Sequence, residues 1–223
     1  SSKSGSSDVL SELGININAD TKKVSNCLKK EGLCFLMAPI YHSAMKNVIN
    51  VRSSLKVKTI FNLLGPLLNP ANANRQLIGV YSKKWMLPVA KCLKDLSIKK
   101  AWIVHGEDGL DEISISAKTN VIEVKNKKIR KFIISPEKFG IKKVALSTIK
   151  GKDPLYNANA IIKLFSNNRF NENFKNIVLI NTAAALVVAD KTNNIKNGIK
   201  IAKYHLENGD ALKKLDAFRK LTQ

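Results

Sequence analysis

The apolar positions of this chain follow two rhythms. Short apolar or alternating runs at 76–80, 101–104, 113–116, 120–124 and 129–134 predict strands. The run Leu33-Cys34-Phe35-Leu36-Met37 is continuously apolar and suits a further buried strand. Helical spacing appears over 9–13, 21–31, 85–96, 154–165, 175–189, 195–206 and 211–221. In the second of these, Val24, Cys27 and Leu28 share a face. Local chemistry marks the boundaries. Ser7 or Asp8 can cap the first helix, while Asp20 caps the second and Gly32 stops it. Asp153 followed by Pro154 is a cap and first-position pair. Pro88 fits only near the first turn of its helix or at a kink. Asn126-Lys127 is placed to turn a hairpin. The small residues Ala183, Ala184 and Ala185 permit close helix packing.

One stretch breaks the alternation. From Ala38-Pro39 to Asn69-Pro70 there is no convincing strand, only helical spacing at 42–51 and 59–64. Residues 61–70 are too apolar to face water and call for a partner surface on another domain. The expected class is α/β, a central β-sheet flanked by helices. Residues 1–37 and 71–223 form that domain, and 38–70 is a helical excursion from it. A chain of 223 residues is long enough to bury a full core.

Composition adds little that is specific. The net charge of +21 raises nucleic acid as a partner. Yet only Arg52, Arg75, Arg130, Arg169 and Arg219 carry the planar fork used in base and phosphate recognition. The lysines are scattered beside abundant Asn and Ile, as a compositional bias would leave them, which argues against a nucleic-acid partner. Cys27, Cys34 and Cys92 have no metal-ligand spacing and sit in apolar patterns, so they read as reduced core residues. No apolar run approaches membrane-spanning length and no charged-then-apolar leader opens the chain. The expectation is a soluble, cytoplasmic protein with no membrane partner.

The richest chemistry follows the strand at 101–104. Glu107, Asp108, Asp111 and Glu112 fall on one turn beside Gly106 and Gly109. Loops beyond the carboxyl ends of strands are where α/β proteins place their chemistry. The adjacent Asp111 and Glu112 could both face one hard cation whose shell is completed by water and phosphate oxygens. An isolated acidic turn is more often plain solvated surface. Similarly, Ser1-Ser2-Lys3-Ser4-Gly5-Ser6-Ser7-Asp8 offers hydroxyls and amides to a phosphate, although its composition equally suits a polar tail.

The serine string at 1–8, Ala38-Pro39 with His42, Ala44 and Met45, Arg52, the run 59–70, Arg75-Gln76-Leu77-Ile78-Gly79-Val80 and His105 through Glu112 occur together and in order. This combination resembles the anthranilate phosphoribosyltransferase family over essentially the whole chain. The resemblance implies the C-terminal domain type shared by nucleoside phosphorylases and these phosphoribosyltransferases. It also implies transfer of phosphoribosyl from phosphoribosyl pyrophosphate to anthranilate, with Mg2+. By the same resemblance Asp111 and Glu112 would hold the magnesium, and Ser1, Ser2 and Ser6 would contact donor phosphates. Arg52 would pair with the anthranilate carboxylate, while Ala38, His42 and Pro66 would line its approach. His42 is not expected to act as a base, His105 is expected to shape the acidic turn, and His205 carries no expected role. The family's helical N-terminal domain, which also mediates its homodimer, and its Gly-rich phosphate loop precede the serine string and lie outside this sequence. The fragment alone is therefore expected to be poorly active or inactive. Two other readings stay open: a pyrimidine-nucleoside phosphorylase, and a non-catalytic nucleic-acid-binding relative of the same fold.

Overall fold

Among the described residues, four strands form one mixed sheet in the order β1-β2-β3-β4: β1 (Arg75–Gly79), β2 (Lys100–Gly106), β3 (Thr119–Lys125) and β4 (Lys128–Ile134). The structure is a computed structural model and describes residues 4–41, 61–166 and 171–223. Strands β1 and β2 are parallel, with Gly79 opposite Val104, whereas β2–β3 and β3–β4 are antiparallel. The last pair closes through Asn126 and Lys127, whose φ values of 49° and 60° are those of a type I′ hairpin turn.

Among the described residues the α-helices are α1 (Ser6–Glu12), α2 (Thr21–Glu31), α3 (Ala38–Tyr41), α4 (Phe61–Leu67), α5 (Met86–Asp95), α6 (Pro154–Phe165), α7 (Glu172–Val188), α8 (Ile195–Glu207) and α9 (Asp210–Thr222). The chain divides into two compact units. One comprises Ser1–Thr59, Gly151–Phe170 and His205–Gln223; the other comprises Ile60–Lys150 and Asn171–Tyr204.

The first unit is helical among its described residues. Its core gathers Leu13, Ile15, Cys27, Ala158, Leu215 and Phe218. The expected caps hold: Asp20 accepts from the Lys23 amide at 2.9 Å, and Asp153 accepts from the Tyr156 amide at 2.8 Å. Gly32 ends α2 at φ 72°. Of the three residues expected on the buried face of α2, Val24 and Cys27 are buried but Leu28 is 44% exposed. At α1 the cap is Gly5, whose amide donates to Asp8 Oδ2 at 2.9 Å. The apolar run at 33–37 is not a strand. Leu33, Cys34 and Phe35 instead pack side-on against the helical core, which satisfies their hydrophobicity without a ladder.

The second unit holds the sheet. On one face α5 packs Met86, Val89, Ala90 and Leu93 against Ile78, Ile103, Ile122 and Val124. Leu63 of α4 is buried in this cluster and Leu67 packs on it, so part of the apolar excursion finds its partner in its own unit. On the other face Ile177, Ile180, Ala183, Ala184 and Val187 of α7 join Trp102, Val104 and Val121. The small residues of α7 do allow a close crossing: a Cβ on Gly198 of α8 would fall 2.8 Å from that of Ala183.

Two features fix the functional end of this unit. At one end of α7, Asp190 accepts from Arg75 Nη2 at 2.8 Å and from Lys100 Nζ at 2.8 Å, tying β1 and β2 to the helix. Lys100 also donates to the Val187 carbonyl at the helix C-terminus, which accepts from the Asp190 amide as well. At the opposite end of the strands, the loop after β2 folds back over β1. A Cβ on Gly79 would lie 1.6 Å from the Asp111 carbonyl oxygen, so only glycine permits this approach. Within that loop 113–116 is not a strand. Ile113, Ser114 and Ile115 are all buried, and the amides of Ile113, Ser114 and Ser116 bond to side chains rather than to another strand.

These two features carry predictions. Hydrogen bonds from Lys100, then Arg75, hold the Asp190 carboxyl down to about 2 from 3.8. A carboxyl lowered by folding stabilises the fold when ionised; that contribution is present above about pH 4 and is lost as pH falls toward 2. Asp190→Asn should therefore lower Tm at neutral pH and remove that segment of the acid-unfolding curve, as followed by circular dichroism. Gly79→Ala should destabilise by roughly 1–3 kcal/mol, with the largest amide chemical-shift changes at residues 111–113. Changes confined to β1 would contradict the close-approach argument.

Candidate functional site

The loop from Glu107 to Lys118 is braced from within. The Gly106 amide donates to Leu110 O at 2.8 Å, and the Glu107 amide to Lys118 O at 2.9 Å. Gly109 takes a φ of 91°, which the turn requires and a side chain would strain. Asp108 is spent on the loop itself: Oδ1 accepts from the Leu110 amide, and Oδ2 accepts from the Ser114 hydroxyl. The Ser114 hydroxyl oxygen in turn accepts from the amides of Ser116 at 2.8 Å and Ala117 at 3.1 Å. Thr119 Oγ1 accepts from the Ser114 amide at 2.9 Å. His105 does not bond to the acidic residues. Its Nδ1 lies 2.8 Å from the Val80 carbonyl, which can only accept, so Nδ1 carries the proton and ties the end of β1 to β2.

Asp111 and Glu112 are left over. Neither has a hydrogen bond or ion pair with a described residue. Both line a cleft of about 450 Å³ whose floor is Leu77, Gly79 and Val104 and whose wall is α7, through Phe174, Ile177, Val178, Asn181 and Thr182. Glu112 is exposed at the mouth of this cleft, and its partial burial there, followed by the neighbouring Asp111 charge, pushes its carboxyl above the ordinary value. Two carboxylates side by side in a half-apolar cleft form a site that gains from a cation. Among the described residues, no three His, Cys, Asp or Glu side chains gather to hold a metal ion. A cation on this pair would draw the rest of its shell from water and a bound anion, as magnesium commonly does.

The other sequence-derived residues are distributed differently. Ser1, Ser2, His42 and Arg52 lie outside the described residues. Ser6 and Ala38 are exposed at the first positions of α1 and α3, in the helical unit. Pro66 is half-buried in α4, in the sheet unit, and does not line the cleft. Asn181 and Gly79 were missed as parts of the site. Each left a signal: Asn181, with Thr182, interrupts the apolar run from Ile177 to Ala189, and Gly79 interrupts an apolar strand. Among the described residues no helix is long and apolar enough to cross a membrane.

The glycosyl transferase family, a/b domain, matches residues 1–212. Anthranilate phosphoribosyltransferase of Phenylobacterium zucineum is 44% identical over 222 residues, covering 100% of this chain and 65% of that protein. The enzyme of the same name from Clostridium kluyveri is 46% identical over 216 residues, covering 97% of this chain and 64% of its own length. The chain thus spans just under two thirds of these relatives. Among solved structures, anthranilate phosphoribosyltransferase of Thermus thermophilus superposes with a TM-score of 0.89 at 33% identity, over 98% of this chain and 64% of that one. The Saccharomyces cerevisiae enzyme in complex with PRPP and Mg gives 0.89 at 30% identity, over 98% and 63%. The mixed sheet with its flanking helices is the fold of these phosphoribosyltransferases. On the match over residues 1–212, the chain belongs to the glycosyl transferase family, whose a/b domain it carries.

Proposed function

We propose that the chain is the α/β portion of an anthranilate phosphoribosyltransferase, catalysing a step of tryptophan biosynthesis. The reaction transfers phosphoribosyl from phosphoribosyl pyrophosphate to anthranilate and releases pyrophosphate. The observation that carries this reading is the free Asp111-Glu112 pair at the mouth of the cleft beyond β1 and β2. Relatives named for this activity, at 44–46% identity, support it. Nothing favours the phosphorylase or nucleic-acid-binding alternatives.

As the sugar C1–O bond breaks, positive charge grows on the ring and negative charge on pyrophosphate. Catalysis requires groups that meet this charge better in the transition state than in the bound substrate. Magnesium suits the donor set, since two unpaired carboxylates leave most of an octahedral shell to water and phosphate oxygens. When bound it would neutralise charge on the departing pyrophosphate. Asp111 and Glu112 would hold it, and the apolar floor of Leu77 and Val104 would limit water around the leaving group. Ser1, Ser2 and Ser6 contact the donor phosphates. The Arg52 guanidinium binds the anthranilate carboxylate as a planar fork. Ala38, His42 and Pro66 line the aromatic approach, with no base role for His42. The excursion at 38–70 packs on the helical domain that longer relatives carry, where the homodimer forms, and the working compartment is the cytoplasm. Residues 1–223 alone then lack much of the donor site and turn over poorly.

The test is loss of anthranilate fluorescence with phosphoribosyl pyrophosphate and Mg2+, using the protein at the full length of its relatives. Asp111→Asn/Glu112→Gln should lower kcat on the order of a hundredfold or more. Arg52→Ala should raise the anthranilate KM, losing roughly 1.5–3 kcal/mol of charged hydrogen bonding. Turnover retained by the acidic double variant would remove the metal role, and absence of turnover in the parent would remove the function.

A further inference from the structure

Asn181 stands out on α7 because its amide group is committed to the acidic loop. Oδ1 accepts from the Ile113 amide at 2.9 Å, and Nδ2 donates to the Ile113 carbonyl at 2.9 Å. Nδ2 also donates to the Ile177 carbonyl one turn back, also at 2.9 Å, which fixes the side chain on its helix. The carboxamide therefore pairs with Ile113 as a neighbouring strand would, with one donation and one acceptance, but reaches it from a helix. This loop segment is buried at Ile113, Ser114 and Ile115 and is not itself a strand.

Ile113 directly follows Glu112. On the preceding side, the Asp111 carbonyl is seated against Gly79. The backbone of the acidic pair is thus held at both ends, by a steric stop at Asp111 and by hydrogen bonds at Ile113. Only a primary amide combines the required donor and acceptor. A carboxylate would lose both donations, and a hydroxyl would lack the reach and the second polar atom.

We propose that Asn181 is a positioning residue for the proposed reaction: by pairing with both polar groups of the Ile113 backbone, it sets Asp111 and Glu112 to take a cation and pyrophosphate together. The inference rests on the functional reading above and adds to it a residue that touches neither cation nor substrate. Groups that orient metal ligands typically matter at the level of 10- to 100-fold in affinity.

The test uses the protein at the full length of its relatives, Mn2+ as the probe and inorganic pyrophosphate as the anion. Bound Mn2+ is followed by electron paramagnetic resonance, and exchange of the Ile113 amide by hydrogen–deuterium NMR. The parent should bind Mn2+ with pyrophosphate, and Asp111→Asn/Glu112→Gln should not. Asn181→Ala should weaken binding roughly tenfold or more and speed Ile113 exchange. Asn181→Leu, which keeps side-chain volume, should do the same and serves where the alanine variant folds poorly. Val89→Ala, a core change in α5 on the other face of the sheet, in a cluster that includes no residue of the loop, should leave binding at the parent level while lowering Tm. Parent-like binding in both Asn181 variants would overturn the positioning role and leave the functional reading intact. Equal loss in Val89→Ala would reduce Asn181 to a general stabilising residue and overturn the proposal as well. A parent that binds no better than the acidic double variant would sink the functional reading, and the inference with it.

Discussion

How near a backbone carbonyl can come to a strand governs this architecture. The Asp111 carbonyl lies where any Cβ on residue 79 would have to be, so the acidic turn can seat itself on the sheet only because β1 ends in glycine. Parallel pairing of β1 with β2 brings their carboxyl ends to the same edge, and the turn after β2 closes over that edge. The result is a short connection with little freedom. Asp108, Ser114 and Thr119 satisfy its internal amides, leaving Asp111 and Glu112 with no structural duty. Unspent charge in a braced loop is what a ligand site requires, because the ligand then pays little ordering entropy on the protein side.

The rest of the sheet unit keeps that edge steady. Helix α7 serves the site along its length: its apolar residues close one face of the sheet, and Asn181 and Thr182 look into the cleft. Beyond its far end, Asp190 gathers Arg75 and Lys100. Lys100 is only 6% exposed, so removing its partner would strand a charge that is costly to bury. Strands and helix are therefore clamped at one end by charge and joined at the other by an amide pair, with close-packed side chains between. Such interiors transmit small displacements rather than absorbing them, so residues distant from the carboxylates still govern where these point.

Much of the fold could be read directly. Asp20, Gly32, Asp153 with Pro154, and the Asn126-Lys127 turn mark boundaries through local chemistry, and the structure places each where that chemistry requires. Errors arose where hydrophobicity had a tertiary cause. The run at 33–37 is apolar because it packs on helices, while at 113–116 the polar Ser114 is as buried as Ile113 and Ile115 because its hydroxyl is satisfied inside the loop. Periodicity does not report what bonds to a segment's backbone or to its buried polar groups. The acidic pair was visible from composition and spacing. Its supports were not, since Gly79 and Asn181 acquire their meaning from residues 32 and 68 positions away that only the fold brings near.

The account turns on whether Asp111 and Glu112 hold one cation together, and crystallography with an anomalous scatterer addresses that most directly. Crystals grown with Mn2+ and pyrophosphate, measured at the manganese edge, should show an anomalous peak shared by both carboxylates at about 2.1–2.3 Å, with pyrophosphate oxygens completing the shell. Pyrophosphate seated in the cleft with no manganese at Asp111 and Glu112, or manganese bound elsewhere, would contradict the account.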